Sequence, residues 1–409
     1  MPSKIVIIGA GFAGVWSALS AKRLIKLVGK ENDVEILVIS PEPSLVMRPR
    51  LYEADAAGMS HPLSNLFGSA GIEFLQGTVD TIQTEAHTVT VRTASGGEDS
   101  VQYDRLILAA GSAVVRPRSV TGLEQYAFDI DTLTSAAKLE SHLESLTSLP
   151  PSSARDTIVV CGGGFTGIEL AAELPKRLGQ LEGARVVLVE SADQVGPELG
   201  PGPRPTILKA LKDLKVEIKL GSPVAAVDSK GVTLVSGERI ESLTAVWTAG
   251  QRATPLTMQI PGAKDSLSRL HVDENLRVPS SEDVFATGDA AYALADTKGH
   301  YALMSCQHAL ALGRVSGHNA VADLLNEPNV TYSQPGYNCC LDLGGWGAVI
   351  SRGWDRDEQI TGDLAKRGKT HINQKVIYPP ENVDDAIVAA DPATPTGDAH
   401  FKLLLEAMA

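Results

Sequence analysis

The sequence predicts an α/β fold that uses one strand–turn–helix unit twice and then adds a smaller C-terminal α+β region. Two stretches carry this prediction. In Lys4 to Ala21, KIVIIGAGFAGVWSALSA, an apolar run suited to a buried parallel strand (Ile5 to Ile8) meets Gly9, Gly11 and Gly14, and a helix-compatible run follows at once. In Thr157 to Leu174, TIVVCGGGFTGIELAAEL, the pattern returns with Gly162, Gly164 and Gly167. Each is a GxGxxG turn of the kind that cradles a dinucleotide pyrophosphate. The first glycine makes the sharp turn, the second lets the backbone approach the phosphates, and the third lets the helix pack close to the strand. The helix N-terminus then turns free N–H groups toward the anion. One such motif alone is a weak sign, because a Gly-rich strand-to-helix turn arises without any ligand. Two in one chain imply two Rossmann-like dinucleotide-binding domains.

The composition of the 409 residues fits a globular protein: 43% hydrophobic, 21% charged, with 38 glycines. A chain this long has room for about two or three cores. No stretch of about 18 or more consecutive apolar residues is present, so a spanning helix is not expected and membrane contact is at most peripheral. The N-terminus imitates a signal peptide, but cleavage there would discard the phosphate loop. The net charge of −13 argues against nucleic acid and anionic membrane surfaces as partners. Cys161, Cys306, Cys339 and Cys340 have neither CxxC nor metal-ligand spacing, which fits a reduced, cytoplasmic setting and no metal. The adjacent Cys339 and Cys340 read as buried strand thiols, with a strained vicinal disulfide as the alternative. A homodimer is among the assemblies such a chain allows.

Taken in order, Val34 to Ile39 reads as the second parallel strand, and a loop containing Arg48-Pro49-Arg50 follows. Gly71 to Val91 alternates as in a small antiparallel sheet, with turns at Gly77 and His87. Tyr103 to Ser112 (YDRLILAAGS) is a buried strand ending in Ala110 and Gly111, after which Arg116-Pro117-Arg118 leads away. Thr132 to Leu146 is an amphipathic helix, and Pro150 to Ser153 is a linker. Strands at Arg185 to Val189, Val216 to Leu220 and Ala225 to Val235 complete the second unit. Leu243 to Ala249, followed by Gly250, returns. Asp283 to Ala290 is a strand ending in Gly288-Asp289, Tyr301 to Leu325 one long helix, and Tyr332 to Ile350 a set of strands. The tail from about Asn373 is acidic and Pro-broken, and HFKLLLEAMA reads as a short terminal helix. These elements divide the chain into 1–115 (first part of one dinucleotide-binding domain), 116–248 (the other dinucleotide-binding domain), 249–328 (second part of the first domain) and 329–409 (C-terminal region), the first domain being the FAD-binding and the other the NAD(P)H-binding one by the resemblance given next.

The order of these motifs, two glycine turns and then AAGS, WTAG and ATGDA, resembles the two-dinucleotide flavoproteins of the glutathione-reductase-like fold. The likeness is greatest to type II NADH dehydrogenases and apoptosis-inducing-factor-like oxidoreductases, and it spans about Lys4 to Leu325. The resemblance implies a flavoenzyme that takes a hydride from NADH and passes electrons to a second small-molecule acceptor, such as a quinone. Gly9, Gly11 and Gly14, with Phe12 and Ala13, would hold the FAD pyrophosphate, and Asp289 beside Gly288 the ribityl chain. Ser40 would lie at the FAD ribose and Arg48 along the phosphates or adenine, with Ala110 and Gly111 also among the cofactor-binding residues. Gly162, Gly164, Phe165 and Gly167 would bind NADH, with Ala249 and Gly250 nearby. Glu190 would grip the ribose 2′-OH, making NADPH the poorer partner. Glu169 would sit beside nicotinamide and flavin, and Cys306 and Gln307 at the flavin's pyrimidine edge, so that Glu169 and Gln307 are the candidate catalytic residues. His308 could protonate an acceptor, although a lone helix histidine is more often structural.

Three departures matter. Ser40 stands where many relatives place an acidic residue on the FAD ribose. No CxxxxC follows the first unit, and no cysteine lies near Ser44 to Met47, which argues against dithiol reductases and single-cysteine peroxidases. The quinone signature AQxAxQ is here Cys306-Gln307-His308-Ala309-Leu310-Ala311, so an alanine replaces the second glutamine. That loss predicts slow turnover of simple quinones. It keeps open a ferredoxin-reductase-like or biosynthetic tailoring enzyme, and a non-enzymatic flavoprotein that senses NADH.

Overall fold

The computed structural model describes residues 2–394 together with 401, 402 and 405, so the helix expected in HFKLLLEAMA lies largely outside the described residues. Strand Ser3–Ile8 is buried along its β-branched stretch and lies in the middle of an eight-stranded sheet. Val34–Ser40 pairs with it in parallel on one side (Ile5 opposite Ile36) and Arg105–Leu108 on the other (Ile5 opposite Arg105). Ser281–Ala286 extends the parallel run beyond Arg105–Leu108. Parallel strands need crossover connections, and the first is helix α1, Phe12–Leu27. The opposite edge differs from expectation. Strand Glu73–Gln83 pairs in parallel with Val34–Ser40 through Gln76, then continues antiparallel to Thr88–Thr93. Gly77 is therefore inside a strand and not a turn. A Cβ there would lie 2.6 Å from Val91 and 2.8 Å from the Arg92 carbonyl, so the glycine permits a close crossing where pairing changes direction. His87, at φ +52°, does make a turn.

A second, five-stranded sheet is entirely parallel, in the order Ala127–Phe128, Thr244–Trp247, Thr157–Cys161, Arg185–Val189, Glu217–Lys219. Helix α2, Phe165–Arg177, follows its glycine turn. The segment expected as one strand, Ala225 to Val235, is instead a hairpin (Val224–Asp228 and Gly231–Leu234) in a separate three-stranded antiparallel sheet completed by Arg239–Glu241. Asp228 accepts from the Lys230 N–H at 2.8 Å and so bends the chain at that point. The outgoing and returning crossings lie side by side: Ser112–Val114 pairs antiparallel with Gln251–Ala253, and the Trp247 indole donates to the Val115 carbonyl at 2.8 Å.

Helix α3 runs from Cys306 to Leu325, five residues shorter than the sequence pattern suggested. Ser305 is its N-cap, extended at φ −151° with its hydroxyl accepting from the His308 N–H, and Tyr301 bridges to Leu294 instead of joining the helix. The C-terminal region is a three-stranded antiparallel sheet, Asn338–Asp342, Ala348–Arg352 and Asp357–Thr361. Helix α4, Gly362–His371, packs on it. Tyr332 to Tyr337, expected as strand, is irregular, and the tail expected to be broken forms a helix at Val383–Ala389 behind an Asn382 cap.

The closest helix contact joins α1 to α3, residues nearly a whole chain apart. A Cβ on Gly313 would lie 2.4 Å from the Ala13 carbonyl, and one on Gly317 would lie 2.0 Å from the Ser17 carbonyl. Ser17 and Ser316 share a hydroxyl hydrogen bond of 3.0 Å, and Ser20 donates to the Arg314 carbonyl at 2.7 Å. Gly317→Val is expected to force these backbones apart, at a cost of about 1–3 kcal/mol. Chemical denaturation should show that loss, and a midpoint equal to wild type would mean that the crossing is loosely packed.

Candidate functional site

Both glycine turns open into one cavity of about 1340 Å³, lined from the first unit by Gly11, Phe12, Ala13, Ser40, Arg48 and Gly111, and from the second by Gly162, Gly164 and Phe165. Glu169, Glu190, Ala249, Gly250, Gly288, Asp289, Cys306 and Gln307 also line it. Gly9, Gly14, Gly167 and Ala110 do not. The three glycines work behind the wall. Gly9 (φ +107°) takes the left-handed turn against the Ala109 carbonyl, Gly14 seats α1 on the Gly9 carbonyl, and Gly167 seats α2 on the Gly162 carbonyl. Ala110 packs on the core cluster of the first sheet. Gly11 is different, because a Cβ there would meet nothing within 4 Å: its backbone faces the open cavity, as the approach of a phosphate requires.

At the second turn the carboxylates are already engaged. Glu190, at the end of Arg185–Val189, accepts from the Gly163 N–H at 2.6 Å with one oxygen and from Ser191 and the Ala192 N–H with the other. The exposed Glu198 accepts from the Phe165 N–H at 2.7 Å, the first free donor of α2. At the first unit Arg48 does not point free toward a phosphate. It pairs with Asp131, donates to Ser112 at 2.9 Å and stands 3.6 Å from Asp289. Ser112 donates to Asp289 at 2.5 Å and receives Gln251 at 2.6 Å, so Asp289 is held by a polar cluster from four segments.

Glu169 lies on the buried face of α2, 3% exposed, and forms an ion pair of 2.8 Å with Lys369 of α4, itself 4% exposed. The same carboxylate accepts from the Asp342 N–H at 2.9 Å. Burial pushes the Glu169 carboxyl up to about 7, against the opposing pull of Lys369. Lys369 in turn is held above its ordinary value, burial notwithstanding, by Glu169. Asp342 receives Tyr52 at 3.0 Å and Lys366 at 2.5 Å, and Asn373 bridges Tyr52 to Glu53. Lys369, Asp342, Tyr52 and Asn373 were not singled out from the sequence. A lysine in KRGKTH gives no local sign that it will be buried against a glutamate two hundred residues earlier.

At the start of α3, the Gln307 carbonyl oxygen accepts from the Asn338 N–H at 3.4 Å, while its amide nitrogen is buried without a partner among the described residues. A bound ring with a carbonyl would supply one. His308 does not line the cavity. It is fully buried, stacks on Tyr337 at 5.0 Å, and burial drives its imidazole down to about 3, which makes it a neutral structural group. Cys339 and Cys340 are free thiols, and burial pushes the Cys340 thiol up to about 12. Among the described residues no group of three metal-ligating side chains occurs, and no helix is long and apolar enough to cross a membrane.

The chain matches the family described as pyridine nucleotide-disulphide oxidoreductase over residues 3–313. It is 43% identical over 399 residues to a NADH dehydrogenase-like protein of Mycobacterium tuberculosis, covering 95% of this chain and 98% of that one. It is 28% identical over 360 residues to a demethylphylloquinone reductase of Synechocystis, covering 85% and 86%. Its fold is similar to that of NDH2 from Plasmodium falciparum in complex with NADH (TM-score 0.77, 15% identity, covering 95% of this chain and 98% of that one).

The raised Glu169 carboxyl has a stability signature. Its folded value of about 7 exceeds its ordinary 4.5, so between those pH values the folded chain keeps a proton that the unfolded chain has released. The group's stabilising contribution is therefore complete below 4.5 and declines as the pH rises toward 7. Thermal melts of wild type and Glu169→Gln at pH 5.8 and 7.5 should show wild type losing ground to the variant at the higher pH. A constant difference would place the carboxyl outside this window.

Proposed function

This chain belongs to the pyridine nucleotide-disulphide oxidoreductase family, and we propose that it is an FAD-dependent NADH oxidoreductase delivering electrons to a quinone-like acceptor. One observation carries the reading. Two phosphate-type glycine turns open into a single cavity, so two dinucleotides can bring their reactive rings together at its middle. The residues present fit FAD: an open approach at Gly11, the Asp289 cluster for a ribityl hydroxyl, and the Gln307 amide nitrogen, without a partner among the described residues, for a ring carbonyl. When bound, FAD supplies the two-electron carrier between NADH and the acceptor.

The protein's part is to bind, orient and exclude water. Gly11, Phe12 and Ala13 receive the FAD pyrophosphate, and Gly162, Gly164 and Phe165 that of NADH once Glu198 swings off the Phe165 N–H. Glu190 lies at the strand end where the adenosine ribose arrives, with its carboxylate fixed by three donors. Glu169 is close enough to neutrality at physiological pH to hold or release a proton at its carboxyl oxygen beside the reacting rings. The acceptor approaches along the α3 face that presents Gln307 and Ala311, where the small alanine leaves room but offers no donor.

Purified protein should carry a flavin absorption band, bleach on NADH and recover on adding a soluble quinone. A colourless protein that cannot be reconstituted with FAD would overturn the reading. NADH should be preferred to NADPH by tens to hundreds in kcat/KM, because a 2′-phosphate would face Glu190 at a cost of a few kcal/mol. Glu190→Gln should erase most of that preference in steady-state kinetics with both cofactors, and an unchanged ratio would remove Glu190 from the ribose. Ala311→Gln restores an amide donor worth about 1–3 kcal/mol to a buried carbonyl. It should raise kcat/KM for simple quinones about tenfold, and no change would mean that the quinone carbonyl lies elsewhere.

A further inference from the structure

Helix α3 turns Gln307, Ala311 and Arg314 toward the cavity, positions i, i+4 and i+7 on one face. At 1.5 Å per residue, Arg314 lies roughly 10 Å further along the helix than Gln307. Beyond Ala311 and Arg314 opens a second cavity of about 260 Å³, which they and Thr394 share with the main one, and which Thr331, Tyr332 and Ser333 also line. The Arg314 guanidinium carbon lies 4.2 Å from the centre of the Trp16 ring, so the cation is held against α1. Its Nε is buried without a hydrogen-bond partner among the described residues. Burial lowers the group to about 10, which still leaves it charged at neutral pH, and Asp391, the carboxylate that bears on it, is committed to Arg23. A desolvated cation with no carboxylate of its own among the described residues is costly to keep, and a bound anion would relieve that cost.

We propose that Arg314 selects the electron acceptor: a ring held beside Gln307 and Ala311 that bears an anionic arm, such as a carboxylate, reaching the guanidinium roughly 10 Å away. This rests on the proposed function, whose acceptor class it narrows. It also accounts for Ala311. An acceptor anchored by its charged arm depends less on a second amide donor at the ring, and the small side chain leaves the arm a path toward the side cavity. The FAD pyrophosphate is not the anion in question, because the glycine turn places it at the N-terminus of α1, one helical turn before Trp16.

The test uses the FAD-loaded enzyme and one soluble quinone carrying a carboxyalkyl tail of about six carbons, compared with its methyl ester. The two share a ring and differ in charge. Binding to oxidised enzyme is measured by calorimetry and turnover with NADH by steady-state kinetics, for wild type, Arg314→Gln and Arg314→Lys. Wild type should favour the acid by about tenfold or more in both Kd and kcat/KM. Arg314→Gln should bring the two compounds within about twofold while leaving FAD content and the rate of flavin bleaching by NADH unchanged, and Arg314→Lys should keep part of the preference. Equal handling of acid and ester by wild type, or the same preference surviving Arg314→Gln, would overturn the inference alone. Loss of FAD from both variants would overturn it by assigning Arg314 to the cofactor. Failure to reduce either quinone, while NADH still bleaches the flavin, would overturn the quinone reading and this inference together.

Discussion

The rest of the molecule depends on the crossing of α1 and α3. The first helix follows the glycine turn that opens into the cavity, and the other starts with Cys306 and Gln307, which line it. Their spacing is set where Gly313 and Gly317 bring one backbone onto the carbonyls of Ala13 and Ser17. No side chain larger than hydrogen fits at these two points, so the separation is fixed by backbone contact and not by packing that could relax. The Ser17–Ser316 hydrogen bond satisfies two hydroxyls in a fully buried position and sets the helices' register. A slip of one residue would turn Gln307 away from the cavity.

A second constraint acts from the C-terminal region. Lys369 reaches from α4 to Glu169 on α2, and Asp342 ties the same region to Tyr52 near the first unit. Glu169, Lys369 and Tyr52 thereby share one stretch of the cavity wall, and the Glu169–Lys369 charges are buried as partners. Such a pair adds little net stability over apolar packing, but it penalises every arrangement in which one partner is missing. It also leaves on the cavity wall a carboxyl that burial raises to about 7, which an apolar wall could not provide.

The parts legible in the sequence were those that local chemistry dictates. The two glycine turns, the parallel strands IVII and IVVC and the helix behind each were readable because strand, turn and helix are adjacent in the chain and each glycine has a steric reason. The small-residue ends at Gly111, Gly250 and Gly288-Asp289 were likewise found at the cavity. The start of α3 was misplaced because hydrophobic periodicity runs smoothly through Tyr301 to Ser305, while the Ser305 cap and the Tyr301–Leu294 bridge are decided by tertiary contacts. Gly77 was misread for the converse reason. It looks like a turn, and only the pressure of Val91 and Arg92 shows why a glycine is needed in mid-strand. Lys369, Asp342 and Tyr52 were illegible because their chemistry lies entirely in who their neighbours are. Arg48 was singled out from the sequence and lines the cavity, but its pairing with Asp131 and its approach to Asp289 were not legible.

Helix α3 resolves two demands that would conflict on a less regular element. Gly313, Ser316 and Ala320 are buried toward the core, while Gln307, Ala311 and Arg314 line the cavity, which Ala309 also reaches. The two sets interleave in sequence because successive residues turn by about 100° around a helix axis. A surface helix would divide its faces into polar and apolar. Here both faces are covered, so the division is by size on one side and by chemistry on the other, and overall hydrophobicity hides it. A change of side chain at Ala311 therefore meets the cavity and not the backbone crossing at Gly313 and Gly317. The same geometry lets a charged residue stand three positions further along, on a helix otherwise built to be buried.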